Sequence, residues 1–227
     1  MGGMMAGSLS DKTRENTQAA DPDRYLTTVR PCEATLVVQG SRFVVRLAPV
    51  ACGAGAERVI EDVRRVHHDA THHCFAYRVG YGREPIERFS DGGEPAGTAG
   101  RPILEALQAK HVWDVGAVVT RWFGGVKLGT GGLRQAYREV TDMALVDLTL
   151  ISRLVVSTFT LRFPHALTGA AYRVLSEFTG CVTSTDFGVR VRLSVTVKRG
   201  DGPAFSQRMI DASHGAIEVQ HVGESVR

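Results

Sequence analysis

The sequence predicts an α+β protein of two domains. Residues 25–150 are expected to form a two-layer sheet-and-helix domain, and residues 151–227 a second, smaller mixed domain, behind a flexible tail over 1–24. Three observations predict this. The chain has 227 residues, more than one domain usually holds. Apolar residues alternate between period-two runs and helical three- and four-residue spacing, with strands and helices interleaved throughout. The pattern resets from helix to strand around Thr149 to Arg153 without a Pro/Gly linker, so the two domains are expected to lie close together.

Composition narrows the class. With 43% hydrophobic and 22% charged residues the chain reads as an ordinary globular protein. No apolar run approaches the roughly 18 residues that span a bilayer. Met1 to Asp23 is rich in Gly, Ser and charge and lacks the apolar segment of a secretory signal. Net charge is +3, which permits an acidic partner without demanding one. Cys32, Cys52, Cys74 and Cys181 are scattered with no C-x-x-C pair, as expected for reduced thiols in the cytoplasm.

Taken in order, Tyr25–Val29, Ala34–Val38 and Arg42–Leu47 read as strands, with Gln39-Gly40-Ser41 turning the second into the third. Ala54 to His67 has Ala56, Val59, Ile60, Val63 and Val66 at helical spacing. A corner rich in histidine follows: His67, His68, Asp69, His72, His73 and Cys74. On a strand His72 and Cys74 share one face and His73 takes the other, so the cluster does not converge and no metal is expected. Strands are predicted at His73–Val79 and Ile86–Phe89. Asp91 and Glu94 then fall in a glycine-rich turn, where two carboxylates serve either acid and base chemistry or the capping of backbone N–H groups; turn chemistry favours capping, with Thr98 starting the next helix. Pro102–Lys110 reads as a helix, Val112–Arg121 as a buried strand, and Leu133–Leu148 as the longest helix.

The second half reads as strand Leu154–Phe163, helix His165–Phe178, strands Cys181–Phe187 and Val189–Lys198, helix Pro203–Ala212 and strand Ile217–His221. This β-α-β-β-α-β order is the split arrangement of a ferredoxin-like domain. It carries no catalytic constellation and is expected to bind or space.

The most unusual stretch is Arg121 to Arg134, R-W-F-G-G-V-K-L-G-T-G-G-L-R, placed between a strand and a helix. Gly124, Gly125, Gly129, Gly131 and Gly132 allow positive φ and close backbone approach, and a helix start offers free N–H groups, so the loop suits an anion. Arg121, Lys127 and Arg134 add charge around it, and Arg101 is a further basic candidate. The alternative is a tight turn required only for strand-to-helix packing. The loop has neither the Walker spacing nor that of a dinucleotide-binding unit. Trp122 is expected to be buried, the other possibility being a stacking surface for a base.

His72-His73-Cys74-Phe75-Ala76-Tyr77, Phe89-Ser90-Asp91-Gly92-Gly93-Glu94-Pro95-Ala96-Gly97-Thr98-Ala99-Gly100, and Arg121-Trp122-Phe123-Gly124-Gly125 through Leu128-Gly129-Thr130-Gly131-Gly132-Leu133 together resemble the YigZ/IMPACT family. Ser41-Arg42-Phe43 fits its early strand. The resemblance spans roughly residues 25 to 222. It implies a ribosomal-protein-like first domain and a ferredoxin-like second domain similar to part of elongation factor G. The family's eukaryotic relatives regulate translation by binding a protein partner.

Function is therefore expected to be translation-associated: contact with RNA, the ribosome or a translation-related protein through the basic glycine loop, with no cofactor. The candidate contact residues are Arg121, Trp122, Gly124, Gly125, Lys127, Gly129, Gly131, Gly132, Arg134, Asp91, Glu94 and Arg101. The alternative is an enzyme acting on a phosphorylated small molecule or peptide, with Asp91 and Glu94 facing Lys127. Against it, the chain lacks a nucleophile-and-base pattern.

Overall fold

The computed structural model describes residues 21–82 and 85–227. In chain order the strands and helices are β1 (Arg24–Thr28), β2 (Cys32–Val38), β3 (Ser41–Pro49), α1 (Gly53–Val66), β4 (His72–Val79), β5 (Ile86–Ser90), α2 (Gly100–Ala109), β6 (Val115–Trp122), α3 (Gly129–Val146), β7 (Leu150–Phe163), α4 (Thr168–Leu175), β8 (Gly180–Phe187), β9 (Val191–Lys198), α5 (Gly202–Ala212) and β10 (Glu218–Val226). The class is α+β, with antiparallel pairing throughout both sheets.

The first sheet has the order β2-β3-β6-β4-β5. Its opening hairpin turns on Gln39 (φ 46°) and Gly40 (φ 80°), two successive positive φ values that suit the right-handed strand twist. Alternation along β3 sends Phe43, Val45 and Leu47 to one face, where they meet Ile103 and Leu107 of α2 and Leu133, Tyr137 and Val140 of α3. The opposite face presents Tyr77, Val79 and Val118 to Ala56, Ile60 and Val63 of α1. Helices thus cover both faces, and the two expected layers become three. The physical reason is that β4 and β6 are apolar on both sides and need cover on both.

The second sheet joins β7, β8, β9 and β10, with β10 and β9 flanking β7 and β8 outside β9. This is the expected split arrangement. Phe159, Leu161, Phe163, Leu193 and Val195 pack with Val174 of α4 and with Phe205 and Met209 of α5. Each fully buried Leu or Phe contributes about 1.5–3 kcal/mol.

One strand changes company. β1, grouped with the first domain in the sequence, pairs along β7 from Arg24 opposite Leu154 to Thr28 opposite Leu150. β7 is 14 residues long and β9 pairs only its Val156–Phe163 part, so β1 takes the remaining stretch of edge and leaves fewer backbone groups unpaired.

Of the tail expected over 1–24, residues 1–20 lie outside the described residues. Asp21 to Arg24 are tied down. Asp21 pairs with Lys198 at 2.9 Å. The buried Asp23 accepts from Arg199 Nε at 2.9 Å and from the Gly200 N–H at 2.7 Å. Arg199 also donates to the Gly82 carbonyl at 2.6 Å. Among the described residues no helix is long and apolar enough to cross a membrane.

Candidate functional site

The three motif stretches lie on β4, on the turn before α2, and at the end of β6, and the fold brings them together. β6 pairs with β4 so that Arg121 stands opposite His72, and with β3 so that Arg121 stands opposite Phe43. Glu94, from the turn, enters the same buried space.

There Arg121 is an internal ion-pair partner and presents no charge to solvent. It is 5% exposed, and its Nη1 donates to Glu94 Oε1 at 2.7 Å. Tyr137 of α3 donates its hydroxyl to the same oxygen at 2.8 Å. Burial, with Cys74 and Glu94 beside it, pushes the Tyr137 hydroxyl far above the usual range, so it stays protonated and donates. The Cys74 Sγ lies 2.9 Å from the Asp91 carbonyl oxygen and 3.3 Å from the Tyr137 hydroxyl. Burial pushes its thiol up to about 12, which makes it unreactive at neutral pH.

Asp91 is a capping residue. Its Oδ2 accepts from the Gly97 N–H at 2.8 Å, and its Oδ1 from the Ala99 and Gly100 N–H groups at 3.0 and 2.9 Å. These bonds close the N-terminus of α2. Thr98, expected to start the helix, instead donates its hydroxyl back to the Pro95 carbonyl at 2.6 Å; the acid seven residues earlier already occupies the free amides. Partial burial works against ionisation of Asp91, but the three backbone N–H groups prevail and hold its carboxyl below the ordinary value. A lowered folded-state value gives stability above about pH 4 that is lost as pH falls through the folded value. Asp91→Asn should therefore flatten the acid limb of the stability curve below about pH 4, measured by urea unfolding across pH, and an unchanged limb would contradict the capping role.

The histidine corner also divides as its strand alternation requires. The His72 Nδ1 lies 3.1 Å from the Gly92 carbonyl oxygen, whereas the His73 Nε2 lies 3.0 Å from the His67 carbonyl oxygen on the other face.

Above this network the chain leaves β6 and forms the loop. Trp122 is half-buried: Arg42 stacks over it at 3.8 Å, His67 meets it edge-on at 5.2 Å, and its Nε1 donates to Asp69 at 3.0 Å. The indole N–H holds the Asp69 carboxyl below its usual range. Gly124 passes so close to the hairpin turn that a Cβ on it would lie 1.9 Å from the Gly40 carbonyl carbon. Gly125 (φ 90°) and Gly129 (φ 69°) occupy left-handed backbone. α3 begins at Gly129, four residues before the periodicity alone indicates, so Gly131 and Gly132 are in its first turn. Gly131 has no positive φ, and a Cβ there would meet nothing within 4 Å. The start of α3 has no side-chain cap.

The loop surface is formed by Phe123 (47% exposed), Val126 (51% exposed) and the exposed Lys127. Arg134 donates to the Gly97 carbonyl at 3.0 Å. Beside it, Arg101, Pro102, Glu105, Arg134, Gln135 and Arg138 line an open groove of about 550 Å³ between the start of α2 and the second and third turns of α3. Arg101 pairs with Glu105 and Arg138 with Asp142, both i,i+4 pairs, the first exposed and the second half-buried, and an exposed pair of this kind is weak. The candidate residues therefore separate into a buried set, Glu94 and Arg121, a capping acid, Asp91, and an outward set, Gly125, Lys127, Gly129, Gly131, Gly132, Arg134 and Arg101. Sequence reasoning missed Ser41 and Tyr137 as polar partners and Arg138 as a groove residue. A tyrosine at a core position of α3 was the available signal, since a buried hydroxyl needs a partner.

Fold and site together define a two-sheet α+β protein with a glycine loop seated on a buried ion pair. A profile of the Impact N-terminal domain matches residues 39–145, and one of a domain of unknown function, DUF1949, matches residues 161–216. The chain is 34% identical over 204 residues to the IMPACT family member YigZ of Escherichia coli, covering 89% of this chain and 100% of that protein. It is 31% identical to the IMPACT family member YvyE of Bacillus subtilis, covering 86% and 90% of the two chains. Protein IMPACT of Homo sapiens matches at 34% identity over 94 residues, 39% of this chain and 28% of that one. A crystal structure of a hypothetical protein superposes with a TM-score of 0.62 at 32% identity, covering 88% and 98%. The chain belongs to the IMPACT family.

Proposed function

We propose that the protein is a cytoplasmic, translation-associated regulatory protein that binds RNA through the outward side of the glycine loop and the arginine groove beside it. One observation carries the reading: Gly125, Gly129 and Gly131 have open space where a Cβ would stand, next to an uncapped helix start and three groove arginines. Close packing accounts for Gly124 and left-handed backbone for Gly125 and Gly129, but neither accounts for Gly131. Backbone amides that a phosphate can approach, flanked by Lys127, Arg101, Arg134 and Arg138, suit a phosphodiester backbone. Four free thiols accord with a reducing compartment. We also infer two folding units that meet near residue 150, with β1 belonging to the second.

Neither carboxylate of the enzymatic alternative is idle, since Asp91 and Glu94 are both engaged in the bonds described above. The exposed Phe123 and Val126 favour a second reading, a protein partner docking on the loop.

Titration of ribosomal RNA and of transfer RNA at several salt concentrations tests the proposal. Lys127→Ala and Arg138→Ala should each weaken binding and reduce the salt slope by about one, because each removes one phosphate contact. Melting curves should stay nearly unchanged. No RNA binding at any salt concentration would overturn the RNA reading and leave the exposed Phe123 and Val126 as a surface for a protein partner.

A further inference from the structure

The geometry points to Glu94 as a positioning residue that sets the root of the glycine loop through Arg121 and Ser41, without touching the loop itself. Three bonds make the relay. Glu94 Oε1 accepts from Arg121 Nη1 at 2.7 Å. Arg121 Nη2 donates to Ser41 Oγ at 3.3 Å. The same Ser41 Oγ accepts from the Gly124 N–H at 3.2 Å. Ser41 is fully buried, and it sits immediately after Gly40, against which Gly124 packs backbone to backbone. The first glycine of the loop is thus held by one hydroxyl oxygen whose other donor is the buried arginine.

Beyond these bonds the guanidinium lies against two rings, Phe43 at 5.4 Å and Phe123 at 5.6 Å. Its Nε has no hydrogen-bond partner among the described residues, so its side-chain hydrogen bonds are those to Glu94 and Ser41. Removing the carboxylate charge leaves a buried cation uncompensated, and a guanidinium in that state is driven toward water. Ser41 then loses the donor that fixes its rotamer, and Gly124 loses a fixed acceptor. The neighbouring Phe123 N–H is anchored by the Thr71 hydroxyl at 3.0 Å, but its ring lies 5.6 Å from the Arg121 guanidinium, so the internal controls are the β3–β6 ladder amides. Cys74 and Tyr137 supply the far wall: Tyr137 shares Glu94 Oε1 and keeps it aimed at Arg121. The relay also accounts for a sequence fact that the loop alone leaves unexplained. Ser41, Glu94 and Arg121 lie in three separate motif stretches, and they meet only here.

The functional significance of the relay rests on the reading of the loop as the binding surface, but the relay itself can be measured without any ligand. Amide hydrogen exchange of the full chain would be compared for the parent, Glu94→Gln, Ser41→Ala and the double variant. Both single variants should raise exchange at the Gly124 amide roughly tenfold, the scale of one lost hydrogen bond. The β3–β6 ladder amides of Val45 and Val119 should stay near their parent rates. The double variant should be no faster at Gly124 than Ser41→Ala alone, since both changes cut one chain. Ser41→Thr, which keeps the hydroxyl, should restore the parent rate. An unchanged Gly124 rate in Glu94→Gln, or a rise shared equally by all amides, would overturn the relay. RNA titration is a separate arm: if the parent protein binds no RNA, the proposed ligand is wrong while the exchange result still measures the relay.

Discussion

Arg121→Ala is expected to lower stability by about 3–5 kcal/mol, the cost of removing one partner from a buried pair. The side chains of Arg121 and Glu94 are 6% and 3% exposed, so water does not replace the lost cation. Glu94 would keep the Tyr137 hydroxyl at 2.8 Å and the His72 Nε2, 3.9 Å from its Oε2, but would lose its guanidinium partner. The truncated arginine also leaves a gap beside the Phe43 ring, which its guanidinium approaches to 5.4 Å. Urea unfolding would record the change as a shifted midpoint. The double variant Arg121→Met, Glu94→Leu should regain much of the loss, because apolar replacement of both partners removes the desolvation penalty. A loss below about 1 kcal/mol, the range of exposed pairs, would mean that the pair is solvated in solution. The contrast with Lys127→Ala is the useful one: both residues are basic and belong to one motif, yet one should affect folding and the other binding.

Gly124→Ala should be the most damaging of the loop glycine substitutions, at about 3 kcal/mol, the upper part of the overpacking range. The added Cβ would lie 1.9 Å from the Gly40 carbonyl carbon, 2.2 Å from its oxygen and 2.3 Å from the Ser41 nitrogen. These are backbone atoms that cannot swing aside as a side chain would, so the hairpin turn or the loop must move, and the Gly124-to-Ser41 bond goes with it. Gly131→Ala should do the opposite. That residue is helical, its surroundings are open, and replacing a helical glycine by alanine gains about 0.5–1 kcal/mol. If Gly131→Ala melts higher while binding RNA less well, the glycine is retained for ligand approach. Equal destabilisation by both substitutions would remove the distinction between packing and open glycines.

Much of this architecture was legible from residue spacing. Ala56, Ile60 and Val63 recur at helical intervals, β3 alternates, and the second half follows the β-α-β-β-α-β order closely enough to name its arrangement. Those features depend on neighbours along the chain, and local periodicity reports them directly. The capping role of Asp91 was legible for the same reason, since the amides it serves lie within nine residues.

Other features depend on partners far apart in sequence, which spacing does not encode. Nothing local in Arg24–Thr28 indicates that it pairs with β7; the unmatched length of β7 decides that. Nothing in R-W-F-G-G distinguishes a solvent-facing arginine from a buried one. Arg121 turns inward because Glu94 and Ser41, drawn from two other stretches, meet it in a space too dry to leave a charge alone. The motifs, their order and the elements that carry them were therefore determined by the sequence itself. Which of their charges face water was decided only by tertiary packing, through the cost of burying an ion without its counter-ion.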